Sequence, residues 1–136
     1  MARDKYHSVV RAALEKAGWT ITDDPFVINV GTTDLQIDLG AQRLLAAEQG
    51  NERIAIEIKV FGNVSLVQAF HTAVGQYMNY RVNLEEYHPE RQLFLAVPKR
   101  IFETFFASEL AIRSVKRLQI KLLIFDPETE VISWQP

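Results

Sequence analysis

The stretch of sequence that decides the fold is Arg53-Ile54-Ala55-Ile56-Glu57-Ile58-Lys59-Val60-Phe61. Its branched apolar residues stand at every second position. Because successive side chains of a strand point to opposite faces, this alternation predicts a strand with one apolar face and a second face that carries Glu57 and Lys59. Residues 35–45 also have an extended pattern, and residues 49–51 form a turn signal between the two stretches. We therefore predict an antiparallel hairpin.

Helices are predicted on both sides of this hairpin. Apolar positions recur at three- and four-residue steps over residues 4–17, where Asp4 is suited to cap the start and Gly18 to end the helix. A second helix is predicted from the capping residue Ser65 to about residue 86. Its predicted core stripe consists of Leu66, Val67, Phe70, Ala73, Val74 and Tyr77.

The remaining segments complete a mixed pattern. Further extended segments are predicted at 19–30, with an interruption at 23–25, and at 91–97, 121–125 and 131–134. Residues 102–118 favour helix, but their apolar period breaks near Glu109, so one helix or two shorter ones remain open. The order of helix, three strands, helix, strand, helix and two strands predicts an α/β (α+β) fold, a mixed β-sheet flanked by helices.

Composition excludes several classes of protein. The chain has 136 residues, of which 48% are hydrophobic and 24% charged, so we expect a single folded domain over residues 1–136. It has no cysteine, which excludes disulfides and thiolate zinc sites and fits a reducing cytoplasm. Its start is charged, and no apolar run approaches the roughly 18 residues of a membrane span. We expect a cytoplasmic protein with no membrane partner.

Charge is unevenly distributed along the chain. The net charge of −2 does not suit a protein dedicated to coating nucleic acid. Residues 91–121 nevertheless contain seven basic and two acidic side chains. This segment can contact phosphate, with Lys99 and Arg100 as candidate DNA contacts, or it can present solvated helix faces.

Acidic side chains lie in both strands of the predicted hairpin. If the register places Asp38 beside Glu57, their carboxylates and the Ile58 carbonyl would form an oxygen cluster that Mg²⁺ or Mn²⁺ accepts. Lys59 would then stand next to the metal, where it can orient or help deprotonate a water. Such a site can cleave a phosphodiester. The alternation is also typical of the solvent-exposed face of an antiparallel hairpin, so the pattern leaves both interpretations open.

Two further polar residues extend the pattern. Gln76 and Tyr80 lie four residues apart on the second helix, so both can face one site. Asp38, then Glu57-x-Lys59, then Gln76-x-x-x-Tyr80 form an ordered set that resembles the restriction-endonuclease-like PD-(D/E)xK superfamily. The resemblance implies a restriction-endonuclease-like fold, with Asp38 and Glu57 as metal ligands, Lys59 as the catalytic lysine, and Gln76 and Tyr80 as groups that position water or phosphate.

A closer resemblance covers nearly the whole chain. The sequences at 55–59, 70–73 and 75–81, together with 37–41 and 95–98, resemble the cyanobacterial XisH family, the fdxN element excision controlling factors. Val60 departs from the serine that the family is expected to carry after the lysine. The resemblance implies a role in programmed excision of a DNA element, where the protein assists a site-specific recombinase together with a small XisI-type partner.

Several charged residues keep two interpretations. His7 is a candidate DNA contact or a packed surface histidine, and Arg81 can reach phosphate or pair with Glu85 on the same helix. His71 is a general base or a helix surface residue. Glu15 is an additional acid of the site or a solvated residue.

Two classes of function follow. In one, the protein is a divalent-metal-dependent nuclease that cuts DNA during excision of the element. In the other, it is a catalytically silent module of the same fold that binds DNA, the recombinase or the small partner. A toxin-like nuclease with an attendant inhibitor is a third interpretation, by analogy only. A homodimer is expected by analogy with nuclease folds that act on two strands.

Overall fold

The structure is a computed structural model, and it describes residues 2–44, 50–62 and 65–135. These residues contain four α-helices and eight strands. The helices are α1 (Ala2–Lys16), α2 (Leu66–Tyr87), α3 (Lys99–Thr104) and α4 (Glu109–Arg117), and a 3-10 helix (Phe105–Ala107) separates the last two. The strands are β1 (Thr20–Asp23), β2 (Phe26–Val30), β3 (Thr33–Ile37), β4 (Leu39–Leu44), β5 (Asn51–Ile58), β6 (Arg91–Pro98), β7 (Leu122–Phe125) and β8 (Ile132–Gln135).

One mixed sheet organises the molecule. Its strand order is β1-β4-β5-β6-β7-β8, while β2 and β3 form a separate two-stranded antiparallel sheet. The three central strands β5, β6 and β7 are parallel, and β4, β1 and β8 join them in antiparallel pairing. Helix α2 connects the parallel strands β5 and β6, as such a crossover requires. The predicted α/β class, a mixed sheet flanked by helices, is confirmed.

Both faces of the sheet are covered. On one face, Ile54, Ile56 and Ile58 of β5 pack with Val10 and Leu14 of α1. The other face carries Ala55 of β5 and packs against α2, the 3-10 segment and the β2–β3 hairpin; this cluster includes Phe26, Ile37, Phe70, Tyr77 and Phe106. Glu57 shares the face of Ala55, because residues two apart in a strand lie on the same side. The interpretation of that face as solvent-exposed is therefore wrong.

Residues 35–45 do not form one strand, and this is the main correction to the predicted fold. The chain breaks at Asp38: β3 before it pairs with β2, and β4 after it pairs with β1 and β5. Five strands rather than three precede α2. The apolar residues on both sides of Asp38 made the two strands look continuous, because buried strands of different sheets have the same local pattern. Residue 45 lies outside the described residues.

The observed ends of the helices agree only in part with those predicted from the sequence. The Ser65 hydroxyl accepts a hydrogen bond from the Gln68 N–H and caps α2. Of the two arrangements left open for residues 102–118, the structure has the one with two shorter helices. Helix α1 begins at Ala2, so Asp4 lies inside it and is not its cap. Leu66 and Val67 are exposed rather than buried, since the first turn of α2 extends past the core. Among the described helices, none has the length and apolar content needed to cross a membrane.

Arg91, at the start of β6, contacts residues of β1, β2 and β5. Its guanidinium donates to the Ile54 carbonyl at 2.8 Å, lies 3.5 Å from a carboxylate oxygen of Asp23, and stacks over the Phe26 ring. Burial lowers the pKa of Arg91, and Asp23 partly offsets that effect. Gly40 of β4 lies under this group, where a Cβ would stand 2.9 Å from the Phe26 ring and 3.0 Å from the Arg91 guanidinium. Only a residue without a side chain allows this close approach.

We expect Gly40→Ala to lower the free energy of unfolding by about 1–3 kcal/mol, because the added methyl overpacks the contact between Phe26 and Arg91. Gly75→Ala is the matched control, since Gly75 is in the exposed middle of α2 with open space around its Cβ position. That change should raise the free energy of unfolding by about 0.5–1 kcal/mol. Urea denaturation measures both changes. If the free energy of unfolding changed in the same direction in the two variants, the packing explanation would be wrong.

Candidate active site

Asp38 is the single residue between β3 of the two-stranded sheet and β4 of the six-stranded sheet. Strand β3 ends at Ile37 within the β2–β3 sheet, and β4 begins at Leu39 opposite Ile56 of β5. In an antiparallel pair, one step back along one strand corresponds to one step forward along the other. Because Leu39 lies opposite Ile56, the preceding residue Asp38 lies next to the following residue Glu57. The register that the sequence analysis required is present, and Asp38 lies beside Glu57.

Backbone hydrogen bonds hold the two carboxylates in place. The Ile58 N–H donates to Asp38 Oδ2 at 2.8 Å, and the Asp38 N–H donates to Glu57 Oε1 at 3.3 Å. Each acid is thus fixed by the backbone of the strand that carries the other. Asp38 is 9% exposed and Glu57 only 3%. Ionised carboxylates that lose water in this way depend on such charge-assisted bonds.

Lys59 completes the cluster at the end of β5. Its N–H donates to the Ala96 carbonyl of β6 at 3.0 Å, and its Nζ lies 3.6 Å from Glu57 Oε2. The Lys59 side chain is 23% exposed, so it lies between the buried acids and solvent. With all three side chains ionised, one ammonium faces two carboxylates and the cluster carries net negative charge. A cation at this point would offset the repulsion between the acids.

The donor set fits Mg²⁺ or Mn²⁺. Carboxylate oxygens of Asp38 and Glu57, with the carbonyl of Ile58, are the hard ligands that these ions prefer. In the described ranges no group of three or more His, Cys, Asp or Glu side chains converges on one point. Two acidic side chains at one point would suit Mg²⁺, since that ion keeps several waters and often takes substrate phosphate oxygens.

Gln76 and Tyr80 lie on α2, over the same face of the sheet as Glu57. The Gln76 side-chain amide donates to the Tyr80 hydroxyl at 2.9 Å. Tyr80 packs in the cluster that contains Ile37, which precedes Asp38, and Ala55, which lies two residues before Glu57. Gln76 Oε1 is buried, and the described residues offer it no hydrogen-bond donor. Leaving such an atom unpaired costs about 1–3 kcal/mol, so it is available to a water or a ligand.

The structure separates the candidate DNA contacts. Lys99 and Arg100 are exposed in the first turn of α3, directly after β6. Because β5 and β6 are parallel, this turn and Lys59 lie at the same edge of the sheet. His7 lies on α1, which covers the opposite face, and its Nε2 is 2.8 Å from Asp24 Oδ1.

Arg81 contacts other residues of the protein and links two helices. Its Nη1 donates to the carbonyls of Leu118 at 2.7 Å and Gln119 at 3.0 Å, and its Nε is 3.8 Å from Glu85 Oε1. These bonds connect α2 to the end of α4 and include the ion pair that the sequence left open.

Two other candidates lie on helix surfaces. His71 is exposed near the start of α2. Glu15 is exposed on α1, 4.0 Å from Arg11, as the solvated interpretation expected.

Fold and site together define an α/β protein that places a buried pair of carboxylates and a lysine at the carboxyl end of a central parallel strand. The chain belongs to the XisH family: the family description "XisH protein" matches residues 1–133. A comparison with curated proteins gives no match.

Two solved structures are similar over almost their whole length. An XisH family protein from Nostoc punctiforme PCC 73102 has 43% sequence identity and a TM-score of 0.88, with 97% of this chain and 99% of that chain covered. A fdxN element excision controlling factor protein from Anabaena variabilis has 43% identity and a TM-score of 0.87, with 96% and 98% covered.

We expect Mn²⁺ to raise the melting temperature of the wild-type protein, because an ion bound at the carboxylate pair stabilises only the folded state. An ion at about 100 times its Kd adds about 2.7 kcal/mol. Asp38→Asn and Glu57→Gln should remove the shift. Glu52→Gln is the matched control: Glu52 is on the same strand but pairs with Arg43 at 2.6 Å. Undiminished stabilisation of Glu57→Gln would contradict the site.

Proposed function

We propose that the chain is an excision controlling factor for a DNA element, and that it hydrolyses DNA phosphodiesters with a divalent metal at Asp38 and Glu57. The family membership and the likeness to the Anabaena variabilis protein support the first part. The observation that carries the second is the placement next to Lys59 of two buried carboxylates, each of which accepts a backbone N–H. A module that only binds DNA has no need for negative charge buried at that point.

Each residue has a distinct task in this proposal. Asp38 and Glu57, with the Ile58 carbonyl, would hold the ion, which when bound would supply Lewis-acid stabilisation of a phosphoryl oxygen. Lys59, kept near the acids by Glu57, donates a hydrogen bond that orients the attacking water or a phosphate oxygen. The water oxygen bonds to phosphorus as the bond to the leaving sugar oxygen breaks; the water gives up a proton, and the leaving oxygen takes one. Gln76 and Tyr80 position the water or the phosphate.

The DNA would lie across the edge where β5 and β6 end. Lys99 and Arg100 supply positive charge there, outside the acidic cluster, and their exposure leaves both side chains available to phosphates. The rest of the chain is net negative, so DNA binding is concentrated at this edge. His7 and Arg81 are engaged elsewhere.

Purified wild-type protein is expected to nick supercoiled plasmid or cut a branched duplex in Mg²⁺ or Mn²⁺. Glu57→Gln and Lys59→Ala should each lower the rate by at least about 100-fold, because one removes a metal ligand and the other the donor to the reacting groups. Glu52→Gln should cut like the wild type. The nuclease proposal would be wrong if Glu57→Gln cleaved at the wild-type rate, or if the wild-type protein cut neither substrate.

A catalytically silent module is the second candidate, and the net charge of −2 favours it. A protein of this charge holds DNA weakly by itself and is suited to act with the recombinase or a small XisI-type partner, or as a homodimer. In that case the protein gives no cleavage with the partner present, while a complex still forms.

DNA affinity tests the proposed binding edge in either case. Lys99→Ala combined with Arg100→Ala should weaken binding to a short duplex and reduce the magnitude of the slope of log K against log salt by about 2, since each phosphate contact made on binding releases about 0.9 of a counterion. Arg113→Ala is the control, because Arg113 is exposed on α4 and pairs with Glu109 at 2.8 Å. A mobility-shift titration over several salt concentrations measures this; an unchanged slope would remove these residues from the interface.

A further inference from the structure

A cavity of about 870 Å³ opens between α2 and α4. Its floor includes Leu93 near the start of β6 and Leu122 at the start of β7. The carboxylates of the candidate active site lie at the other end of these parallel strands, where β5 finishes. The groove is thus a second surface at the opposite edge of the sheet.

Two helical stripes form the walls of the groove. On α2 the lining residues Tyr77, Arg81 and Leu84 recur at four- and three-residue steps. On α4 and the turn after it, Ile112, Val115, Lys116 and Gln119 recur with the same spacing. Two helical stripes with an apolar floor between them form a surface onto which a third helix can pack.

The α4 wall of the groove carries an apolar side chain that is open to solvent. Ile112, which lines the groove, is 54% exposed. Burial of such side chains releases about 25 cal/mol for each square ångström of apolar surface, so a cover over the groove is favourable.

The charge of the groove is opposite to that of the chain. Its lining has four basic side chains, Arg81, Arg91, Lys116 and Lys121, and one acidic side chain, Glu85, whereas the whole chain has a net charge of −2. Lys121 Nζ is held 3.1 Å from Gln92 Oε1. Lys116 makes no ion pair within the described residues.

We propose that this groove binds an amphipathic helix of a partner protein, with its apolar stripe on the floor and Asp or Glu side chains beside Lys116 and Lys121. Duplex DNA fits less well, because its phosphates would face an apolar floor. A second copy also fits less well, since the long helices α1 and α2 already bury their apolar stripes against the sheet. The site does not depend on the proposed nuclease activity.

A labelled synthetic peptide of about five helical turns is the probe, with Leu at three- and four-residue steps and Glu on both flanks. We expect it to bind the full chain in fluorescence anisotropy and to shift the amide NMR signals of groove residues. Lys116→Glu should weaken binding about tenfold and should improve binding of a peptide with Lys in place of Glu. Ile112→Asp, at an exposed position, should also weaken it, and Arg100→Glu, at the other edge, should not.

Three results would overturn the proposal. The first is no change in the signals of the groove residues, and the second is equal affinity of the acidic and basic peptides for wild type and for Lys116→Glu. The third is self-association, or duplex binding, that Ile112→Asp and Lys116→Glu abolish while the peptide fails to bind; the groove would then belong to a second copy or to DNA. Glu57→Gln should bind the peptide normally, which separates this test from that of the nuclease.

Discussion

The pair of hydrogen bonds between Asp38 and the end of β5 is the constraint on which the site depends. The Ile58 N–H donates to the Asp38 carboxylate, and the Asp38 N–H donates to Glu57. One residue thereby closes the gap between the β2–β3 sheet and the six-stranded sheet. Because the bonds use backbone groups of both strands, they fix the register of β4 on β5 and place two acids side by side where water is largely excluded.

Burial of these acids is a consequence of topology. A parallel pair such as β5 and β6 needs a crossover helix, and that helix covers the face from which Glu57 projects. The same crossover brings Gln76 and Tyr80 over this face. Two carboxylates in such a place cost stability unless a cation compensates them, and Lys59 supplies only one positive charge. Natural proteins retain an arrangement of this cost where it serves chemistry.

The two ends of the parallel strands differ in chemical character. The carboxyl end carries buried acids with Lys99 and Arg100 outside them, and the amino end carries an open apolar groove with a basic rim. The proposed DNA contacts and the proposed helix-binding groove thus lie at opposite ends of the strands, so that occupation of one would leave the other accessible.

Sequence alone predicted most of the elements and named the residues of the candidate site. The alternation at 53–61 predicted β5, the apolar period and Ser65 predicted α2, and the ordered acids, lysine, glutamine and tyrosine pointed to one cluster. These signals depend on residues close together in sequence, so they can be interpreted without knowledge of the tertiary contacts. Tertiary structure decided the break at Asp38, the burial of the Glu57 face, the use of Arg81 as a tie to α4, and the groove. Each of these depends on contacts between residues far apart in sequence, and a strand buried by a distant helix has the same local pattern as one that faces water.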